Sequence, residues 1–420
     1  MHDTTVLDNQ LRILTSVMPH SSSVSMMILV GAGSRYENCE MAGLSHFLEH
    51  LPFKGTKGWP SARLISEAIE GVGGIMNAST DREMTIFWCK VSTLHFKQAF
   101  SVLIDMILNP NLDPDEMEKE REVIQEELRM TNDYPTQRVD LLIDELLWPD
   151  QAMGRDVGGT LDSVADISVE SVKKYMTHQY NPANTVISLA GNIIHQEITE
   201  LIELATRDWH PKESLPWEHV KKGVSGCEVK IENRKTDQSH ICIGLAGVAL
   251  DDPDRYALSL LNGILGDGMS SRLFLNLREE QGLAYDVYSS LNHFRDCGSL
   301  VVYCGVEPKK TRSAISAIID EFRSISLGIT ESELIRAKEY AKGRLLLRME
   351  DSRSVAAWAG TQEILLNNVS TVEEVIQSIN AVTEDDIARV SSRVITPDNI
   401  KTAIVGPHRS DKGILELLDF

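Results

Sequence analysis

An internal repeat constrains the fold of this chain more than any other feature of its sequence. Residues 167–191 read ISVESVKKYMTHQYNPANTVISLAG and align without a gap with residues 382–406, VTEDDIARVSSRVITPDNIKTAIVG. Each copy predicts a capped helix, a Pro-Asn turn and an apolar strand that ends in glycine. The copies share a proline, an asparagine and a glycine at Pro182 and Pro397, Asn184 and Asn399, and Gly191 and Gly406.

A second repeat lies upstream in each copy. Residues 113–117 resemble residues 330–334, and both segments open a long helix with a capping pattern. Because the two repeats occur in the same order, we predict two halves of similar fold. The predicted domains are a first half at 1–210 and a homologous half at 227–420. The polar segment 211–226, which contains two prolines, is the predicted linker.

Strand and helix patterns mix within each half. Residues 23–30 and 240–246 are rich in Val, Ile, Met and Leu, which predicts strands. Apolar residues recur at helical spacing in 94–108, 113–130 and 314–324. Hairpin-like strands beside long helices favour an α+β class. We therefore predict that each half is a mostly antiparallel sheet with helices packed on one face.

The charge balance excludes some classes of partner. Asp and Glu number 62 against 41 Lys and Arg, which gives the 420 residues a net charge of −21. Nucleic-acid binding is not expected, because it depends on cationic groups that neutralise phosphates. The charge serves solubility, and a sharper hypothesis is attraction of basic peptides to an acidic cavity. No apolar run approaches the roughly 20 residues of a membrane span, so no membrane association is expected.

Cysteine usage and the first residues bear on the compartment. The six cysteines are scattered and none forms a C-x-x-C pair, a pattern typical of reduced thiols. The initial residues, MHDTT, lack the basic start and apolar block of a secretory signal and are not Arg-rich like an organelle presequence. These features predict a cytoplasmic protein.

Residues 46–50, His-Phe-Leu-Glu-His, are the strongest candidate for a chemical site. Two histidines four residues apart face the same side of a helix, and neutral imidazoles at that spacing can both reach one zinc ion. Glu49 lies beside them, where a carboxylate can take a proton from water and later deliver it to a leaving amine. The order H-x-x-E-H is the inverzincin signature. The alternative is two solvent-facing histidines on an amphipathic helix.

The surrounding string, GLSHFLEHLPFKGT at 43–56, resembles the active-site signature of the pitrilysin (insulysin-type) family of zinc peptidases. That family includes bacterial processing proteases and the mitochondrial processing peptidase. The resemblance implies one zinc per chain, with His46 and His50 as ligands and Glu49 as general base. Pro52 departs from the family pattern, and we expect it to end the helix directly after the second ligand.

The third metal ligand is expected on an acidic helix downstream. The string EREVIQEE at 120–127 resembles the second motif of the family. The resemblance implies that Glu127 binds zinc and that Glu120 supports the ligands without binding the ion itself. Seven residues are close to two helical turns, so both side chains face one way. Glu126 is the rival ligand, rotated by about 100°, and the alternative for the whole acidic helix is a solvated face.

Two further segments resemble the family's substrate-binding parts. Residues 74–83, GIMNASTDRE, resemble the edge strand to which an extended peptide adds, and Asn77 and Ala78 match the positions that meet the substrate backbone. In the second half, Arg278 and Tyr285 match residues that reach the bound peptide from the opposite domain, where they are suitable donors to an oxyanion. The alternatives are an ordinary strand, a surface arginine and a half-buried tyrosine.

The resemblance implies a zinc endopeptidase that cleaves peptides or unfolded segments inside a closed chamber, and it implies a homodimer. The second half has no H-x-x-E-H string, so only the first half is expected to hold metal. One alternative is a catalytically inactive homologue that acts as a scaffold or substrate-binding subunit. Another is a metal-dependent hydrolase of non-peptide substrates.

Overall fold

The computed structural model describes residues 2–221, 226–410 and 413–418, so residues 222–225 of the predicted linker lie outside the described residues. The chain divides into two compact units that do not follow the predicted boundaries at 210 and 227. The first unit consists of Met1–Leu128, Asp156–Glu218 and Leu346–Thr371, and the second of Arg129–Arg155, His219–Leu345 and Val372–Phe420. Each unit therefore includes one helical segment from the sequence of the other half.

The first unit is built on a six-stranded sheet. Its strands are β1 (Asp3–Val6), β2 (Arg12–Val17), β3 (Ser23–Val30), β4 (Ile75–Thr80), β5 (Thr85–Ser92) and β6 (Thr185–Gly191). Their order across the sheet is β1-β2-β6-β3-β5-β4, and β2 and β6 run parallel while the other pairs are antiparallel. β3 coincides with the strand predicted at 23–30, and β4 lies at an edge.

The second unit is built on a five-stranded sheet. Its strands are β7 (Glu228–Asn233), β8 (Ser239–Ala246), β9 (Ala284–His293), β10 (Gly298–Val306) and β11 (Lys401–Gly406). Their order is β7-β11-β8-β10-β9, with β7 and β11 parallel and the other pairs antiparallel. The α+β class with mostly antiparallel sheets is thus confirmed.

Helices surround both sheets. They are α1 (Leu44–His50), α2 (Ala62–Glu70), α3 (Phe96–Leu108), α4 (Pro114–Asp133), α5 (Pro135–Leu147), α6 (Leu161–Asp166), α7 (Val169–Gln179), α8 (His195–Thr206), α9 (Arg255–Leu265), α10 (Thr311–Leu327), α11 (Glu331–Arg348), α12 (Ser352–Leu366), α13 (Val372–Ala381) and α14 (Glu384–Val394). Among the described residues, none of these helices is both long and apolar enough to span a membrane.

We predict helices on one face of each sheet, and the structure also shows helical cover on the second face. In β3, Met26 and Ile28 pack into the core with α1 and α3, whereas Met27 and Leu29 point to the other face, which α12 covers. Correspondingly, Val139 and Ile143 of α5 pack against the second sheet. A strand that is apolar along its whole length, as β3 is, needs cover on both faces.

The internal repeat has the same structural role in both units. Ser168 and Thr383 form capping boxes at the starts of α7 and α14. The Asn184 side chain donates from Nδ2 to the carbonyls of Gln179 at the end of α7 and Gly31 after β3, at 2.9 and 2.7 Å. Asn399 makes the equivalent pair of bonds to the carbonyls that end α14 and β8, at 2.9 and 3.1 Å. The repeated asparagine therefore ties a helix end to the sheet twice.

The packing of α12 against the first sheet can be tested by substitution. A Cβ atom on Gly360 would lie 2.5 Å from Leu29 Cδ1 and 3.0 Å from Ser188 Cβ, both on buried strands. We expect Gly360→Ala to lower the free energy of unfolding by about 1–3 kcal/mol, because α12 must move away from the sheet. The matched control is Gly343→Ala in α11, where the added methyl group would have no described atom within 4 Å apart from its chain neighbours and the backbone of its own helix. Urea unfolding should show that only the first variant is destabilised, and equal midpoints would contradict this packing.

Candidate metal centre

The helix that carries both histidines is fixed at its beginning. The carboxylate of Glu37 is buried and accepts hydrogen bonds from the backbone N–H groups of Gly43 and Ser45, at 2.8 and 2.6 Å. A carboxylate at this end also complements the helix dipole. The Ser45 hydroxyl lies 2.7 Å from the hydroxyl of Tyr175 on α7. These contacts hold α1 and therefore both histidines in place.

The same helix ends where the sequence predicts. α1 stops at His50, and a 3₁₀ turn, Leu51–Lys54, continues the chain with Pro52 in its first positions. Proline lacks the backbone N–H that an α-helix would need at this point. His50 is thus the last residue of α1, His46 lies one turn earlier, and Lys54 ends the 3₁₀ turn.

The acidic helix α4 supplies the carboxylates. Its first turn is capped by Asp113, whose Oδ1 accepts from the N–H groups of Asp115 and Glu116 at 2.9 and 3.2 Å. Glu120 is buried and Glu127 is half-buried, two turns apart on the side of the helix that faces α1. Met117, Ile124 and Leu128 of α4 are buried in the core, so the solvated-face interpretation holds only for the outer side of the helix.

His46, His50 and Glu127 form the candidate metal centre, a cluster that could hold a metal ion. The Nε2 atoms of the two histidines are 3.3 Å apart, and Glu127 Oε2 lies 3.8 Å from each. One potential ligand atom from each residue lies within 4.8 Å of the other two. Two nitrogens bound tetrahedrally to one zinc ion at about 2.0–2.1 Å would be about 3.3 Å apart. The three side chains thus fit a zinc ion, and three protein ligands leave one position of a four-coordinate ion for water or substrate.

The charge state of the two histidines also suits a cation. Burial, followed by the charge of His50, lowers the pKa of His46 to about 4, so its imidazole is neutral and can ligate through a lone pair. Burial alone would lower the pKa of His50. The hydrogen bond to Glu120 and the charges of Glu127 and Glu49 outweigh burial and raise the pKa of His50. The acidic surroundings therefore favour positive charge at this imidazole, whether a proton or a metal ion supplies it.

Glu120 orients one of the ligands. Nδ1–H of His50 donates to Glu120 Oε1 at 2.9 Å, which directs Nε2 towards the centre. Glu120 Oε2 is paired with the ammonium of Lys54. Burial would raise the pKa of Glu120, but the hydrogen bonds from His50 and Lys54 lower it overall. A carboxylate behind a ligating histidine fixes its tautomer and ring orientation, which is the supporting position predicted for Glu120.

Glu49 lies beside the metal centre without belonging to its ligand set. Burial raises the pKa of its carboxyl group, although a hydrogen bond with Thr80 and the charge of His50 act in the opposite direction. A raised pKa suits a carboxylate that must accept a proton and release it again near neutral pH. The rival ligand Glu126 is exposed and is not one of the three clustered residues, so the geometry favours Glu127.

The predicted substrate strand is β4. Within the described residues β4 pairs only with β5, which leaves its other edge open, and α1 packs against it. Asn77 is exposed and its Oδ1 accepts from the N–H of Ala78 at 2.8 Å. The N–H of Ala78 is thus engaged by the Asn77 side chain, and pairing of a peptide with this edge stays a prediction.

Arg278 and Tyr285 lie together in the second unit. Arg278 belongs to a π-helical segment, Phe274–Glu280, and its guanidinium carbon is 5.7 Å from the ring centroid of Tyr285. Tyr285 stands on the edge strand β9 with 77% of its surface exposed. The structure therefore brings this predicted pair together, and its part in chemistry stays a prediction.

The sequence patterns missed three groups that shape the centre: Glu37, Lys54 and Thr80. Glu37 precedes its helix by several residues and matches no local capping pattern. Thr80 lies in the segment predicted to bind substrate, but nothing in the sequence links it to Glu49. Lys54 follows His50 by four residues, and this helical spacing was the one available signal.

Family models match both halves of the chain. The model described as insulinase (peptidase family M16) matches residues 12–161, and the model described as peptidase M16 inactive domain matches residues 166–340. The first range contains the whole metal centre. The second falls mainly on the half in which the sequence has no H-x-x-E-H string.

Several relatives match along almost their whole length. YmxG of Bacillus subtilis, named as an uncharacterized zinc protease, is 34% identical over 400 residues, which are 95% of this chain and 97% of the relative. A Streptomyces coelicolor protein with the same description is 33% identical over 410 residues, 96% of this chain and 89% of the relative. A Rickettsia felis protein so described is 30% identical over 407 residues, 96% and 97% of the two chains.

Solved structures share the fold. A protease from Helicobacter pylori superposes with a TM-score of 0.92 at 22% identity, over 96% of this chain and 99% of the other. A peptidase M16 inactive domain from Pseudomonas fluorescens gives 0.89 at 17% identity, over 98% of both chains. At these identities the likeness concerns the fold alone.

Proposed function

Because the chain belongs to the insulinase family of peptidases, peptidase family M16, we propose that it is a zinc-dependent endopeptidase. The observation that carries the proposal is the convergence of His46 Nε2, His50 Nε2 and Glu127 Oε2, with Glu49 beside them. Two imidazoles and one carboxylate are the ligand set of many catalytic zinc sites.

Glu49 and Glu120 would have separate roles in the reaction. When bound, zinc would lower the pKa of a water molecule and polarise the scissile carbonyl. Glu49 would accept the proton of the attacking water on its carboxylate and pass it to the leaving amine. Glu120 would keep the imidazole of His50 oriented while these transfers take place.

The proposed substrate is a peptide or an unfolded protein segment in extended form. Its backbone would pair with the open edge of β4 and meet Asn77 and Ala78. The net charge of −21 supports a preference for basic peptides. We further propose a chamber that excludes folded proteins, a homodimer in the manner of two-domain processing peptidases, and a cytoplasmic location.

The second candidate function is an inactive scaffold or substrate-binding subunit. The match of residues 166–340 to a model described as an inactive domain is the observation in its favour. Against it, the first unit retains three potential ligands and an adjacent carboxylate in convergent positions. A scaffold would have no need to keep all four.

Metal analysis combined with peptide cleavage distinguishes the two functions. The purified chain should contain one zinc and cleave unstructured basic peptides at internal bonds, as mass spectrometry of the products would show. A chelator should abolish cleavage, and added zinc should restore it. Stoichiometric zinc without cleavage of any peptide in a diverse library would favour the scaffold function.

Tyr285 tests the proposed part of the second unit in turnover. We expect Tyr285→Phe to lower turnover by about 10²–10³-fold, because one donor to the developing oxyanion is lost. Zinc content and unfolding should not change, since the side chain is 77% exposed. Tyr288→Phe on the same strand is the matched control and should retain activity. Full activity of the Tyr285 variant would leave this tyrosine with an ordinary surface role.

A further inference from the structure

We propose that Lys54 is a positioning residue of the metal centre, which acts on the ligand His50 through the carboxylate of Glu120. This inference rests on the proposed zinc site, since the imidazole that Lys54 would orient is one of its ligands. It concerns a residue outside the H-x-x-E-H string and outside the acidic helix. Lys54 does not itself touch the zinc position or the substrate.

The side chains of His50, Glu120 and Lys54 are linked in series by two contacts. His50 Nδ1–H donates to Glu120 Oε1 at 2.9 Å, and the ammonium of Lys54 pairs with Glu120 Oε2. Each carboxylate oxygen therefore has a separate partner, and the plane of the carboxylate is fixed at both ends. His50 ends α1 and Lys54 ends the 3₁₀ turn that follows it, so both contacts to Glu120 come from one continuous segment of the chain.

Lys54 stands at the end of the 3₁₀ turn, Leu51–Lys54, that follows α1. Pro52 prevents a regular α-helix from continuing past His50. From this position the ammonium of Lys54 pairs with Glu120 Oε2.

Burial explains why the carboxylate needs a full charge opposite it. The Glu120 side chain is 5% exposed, whereas the Lys54 side chain is 31% exposed. A buried carboxylate that lacks a charged partner is strongly destabilised. A neutral imidazole offers it an N–H but no net charge. Without the ammonium, Oε2 would lose its partner and the carboxylate could turn away from His50, so the ring would lose its fixed orientation.

The surroundings of Lys54 leave room for a conservative exchange. Lys54 lines a cavity of about 540 Å³ together with Leu51, Gly55, Asn111 and Lys119 among others. The cavity is lined by Lys54 but not by His50 or Glu120, so the larger head group of arginine can be accommodated there. Arginine would keep the charge and donate to the same carboxylate, whereas methionine would keep the length and remove the charge.

Zinc affinity of the full chain, measured by competition with a chromogenic chelator, is the test. We expect Lys54→Met to weaken zinc binding by about 10–100-fold, the usual effect of removing a partner behind the ligands. Lys54→Arg should retain most of the affinity. Lys57→Met, which removes an exposed lysine three residues away, is the matched control and should bind zinc like the unaltered chain. Unfolding curves check that each variant folds.

A double-mutant cycle isolates the route through Glu120. Glu120→Gln should weaken zinc binding, and Lys54→Met should then add little further loss, because the carboxylate that it orients is gone. Unchanged zinc affinity of Lys54→Met, or losses that add fully in the double variant, would overturn the inference. Failure of the proposed function would look different, because the unaltered chain itself would then bind no zinc or cleave no peptide.

Discussion

The His50→Ala variant is expected to lose its zinc and its peptidase activity together while keeping its fold. His50 supplies one of three converging ligand atoms, and the two that remain cannot hold the ion in the same geometry. Because replacing a partner behind the ligands already weakens metal binding by about 10–100-fold, loss of a ligand itself should exceed that range. Turnover should fall to the background rate.

The fold should survive this change for a specific reason. Removing His50 takes a partner from Glu120, but Lys54 still pairs with this buried carboxylate, so no isolated buried charge is created. Alanine is also the best helix former at the end of α1. Zinc content after dialysis, unfolding curves and cleavage rates are the measurements. His20→Ala, at an exposed turn, is the control, and stoichiometric zinc in the His50 variant would refute the ligand assignment.

The local part of the metal centre could be predicted from the sequence because its determinants are local. Two histidines four residues apart must face one side of a helix, whatever surrounds them. Glu120 and Glu127 were placed by resemblance, and helical periodicity explains why both point to α1. Glu37 accepts from N–H groups 6 and 8 residues further along the chain, outside the spacing of any capping pattern. Thr80 belongs to a different element from Glu49, so spacing within one helix or strand carries no information about their contact.

The elements of the fold were predictable to a similar extent. The strand at 23–30 coincides with β3, and the helix predicted at 113–130 is α4, Pro114–Asp133. The cover on the second face of each sheet was not predicted, although the unbroken apolar sequence of β3 contained the signal. The sequence could not show that the helices providing this cover come from the other half, because an apolar helix face does not identify its partner sheet.

This exchange of segments changes what a fragment experiment can show. Residues 1–210 contain every proposed metal ligand, but they lack α12, which covers Met27, Leu29 and Val186 of the first sheet. Exposing three such side chains would cost about 5–9 kcal/mol at about 1.5–3 kcal/mol each, which is comparable to the whole stability of a domain. Inactivity of that fragment would therefore report on folding as much as on chemistry, and point variants in the full chain are the sharper test.

Glu49→Gln is expected to separate metal binding from chemistry, which no ligand variant can do. The amide keeps the size of the carboxyl group and its oxygen can still accept a hydrogen bond, so the contact with Thr80 and the packing beside α1 should persist. An amide cannot take up the proton that turnover requires. We therefore expect zinc to stay bound and turnover to fall by about 10²–10⁴-fold or more.

The control for this variant lies on α4. Glu126→Gln makes the same chemical change at an exposed position outside the clustered ligands, and it should leave both zinc content and turnover unchanged. Zinc analysis and single-turnover cleavage on all three chains give the comparison. Loss of zinc from the Glu49 variant would make this carboxylate a ligand, whereas loss from the Glu126 variant would transfer the role of Glu127 to its neighbour. Of the two carboxylates compared, retained zinc with lost turnover at Glu49 alone is the pattern expected of a proton-transferring group, because its proton transfer is needed after the ion is already in place.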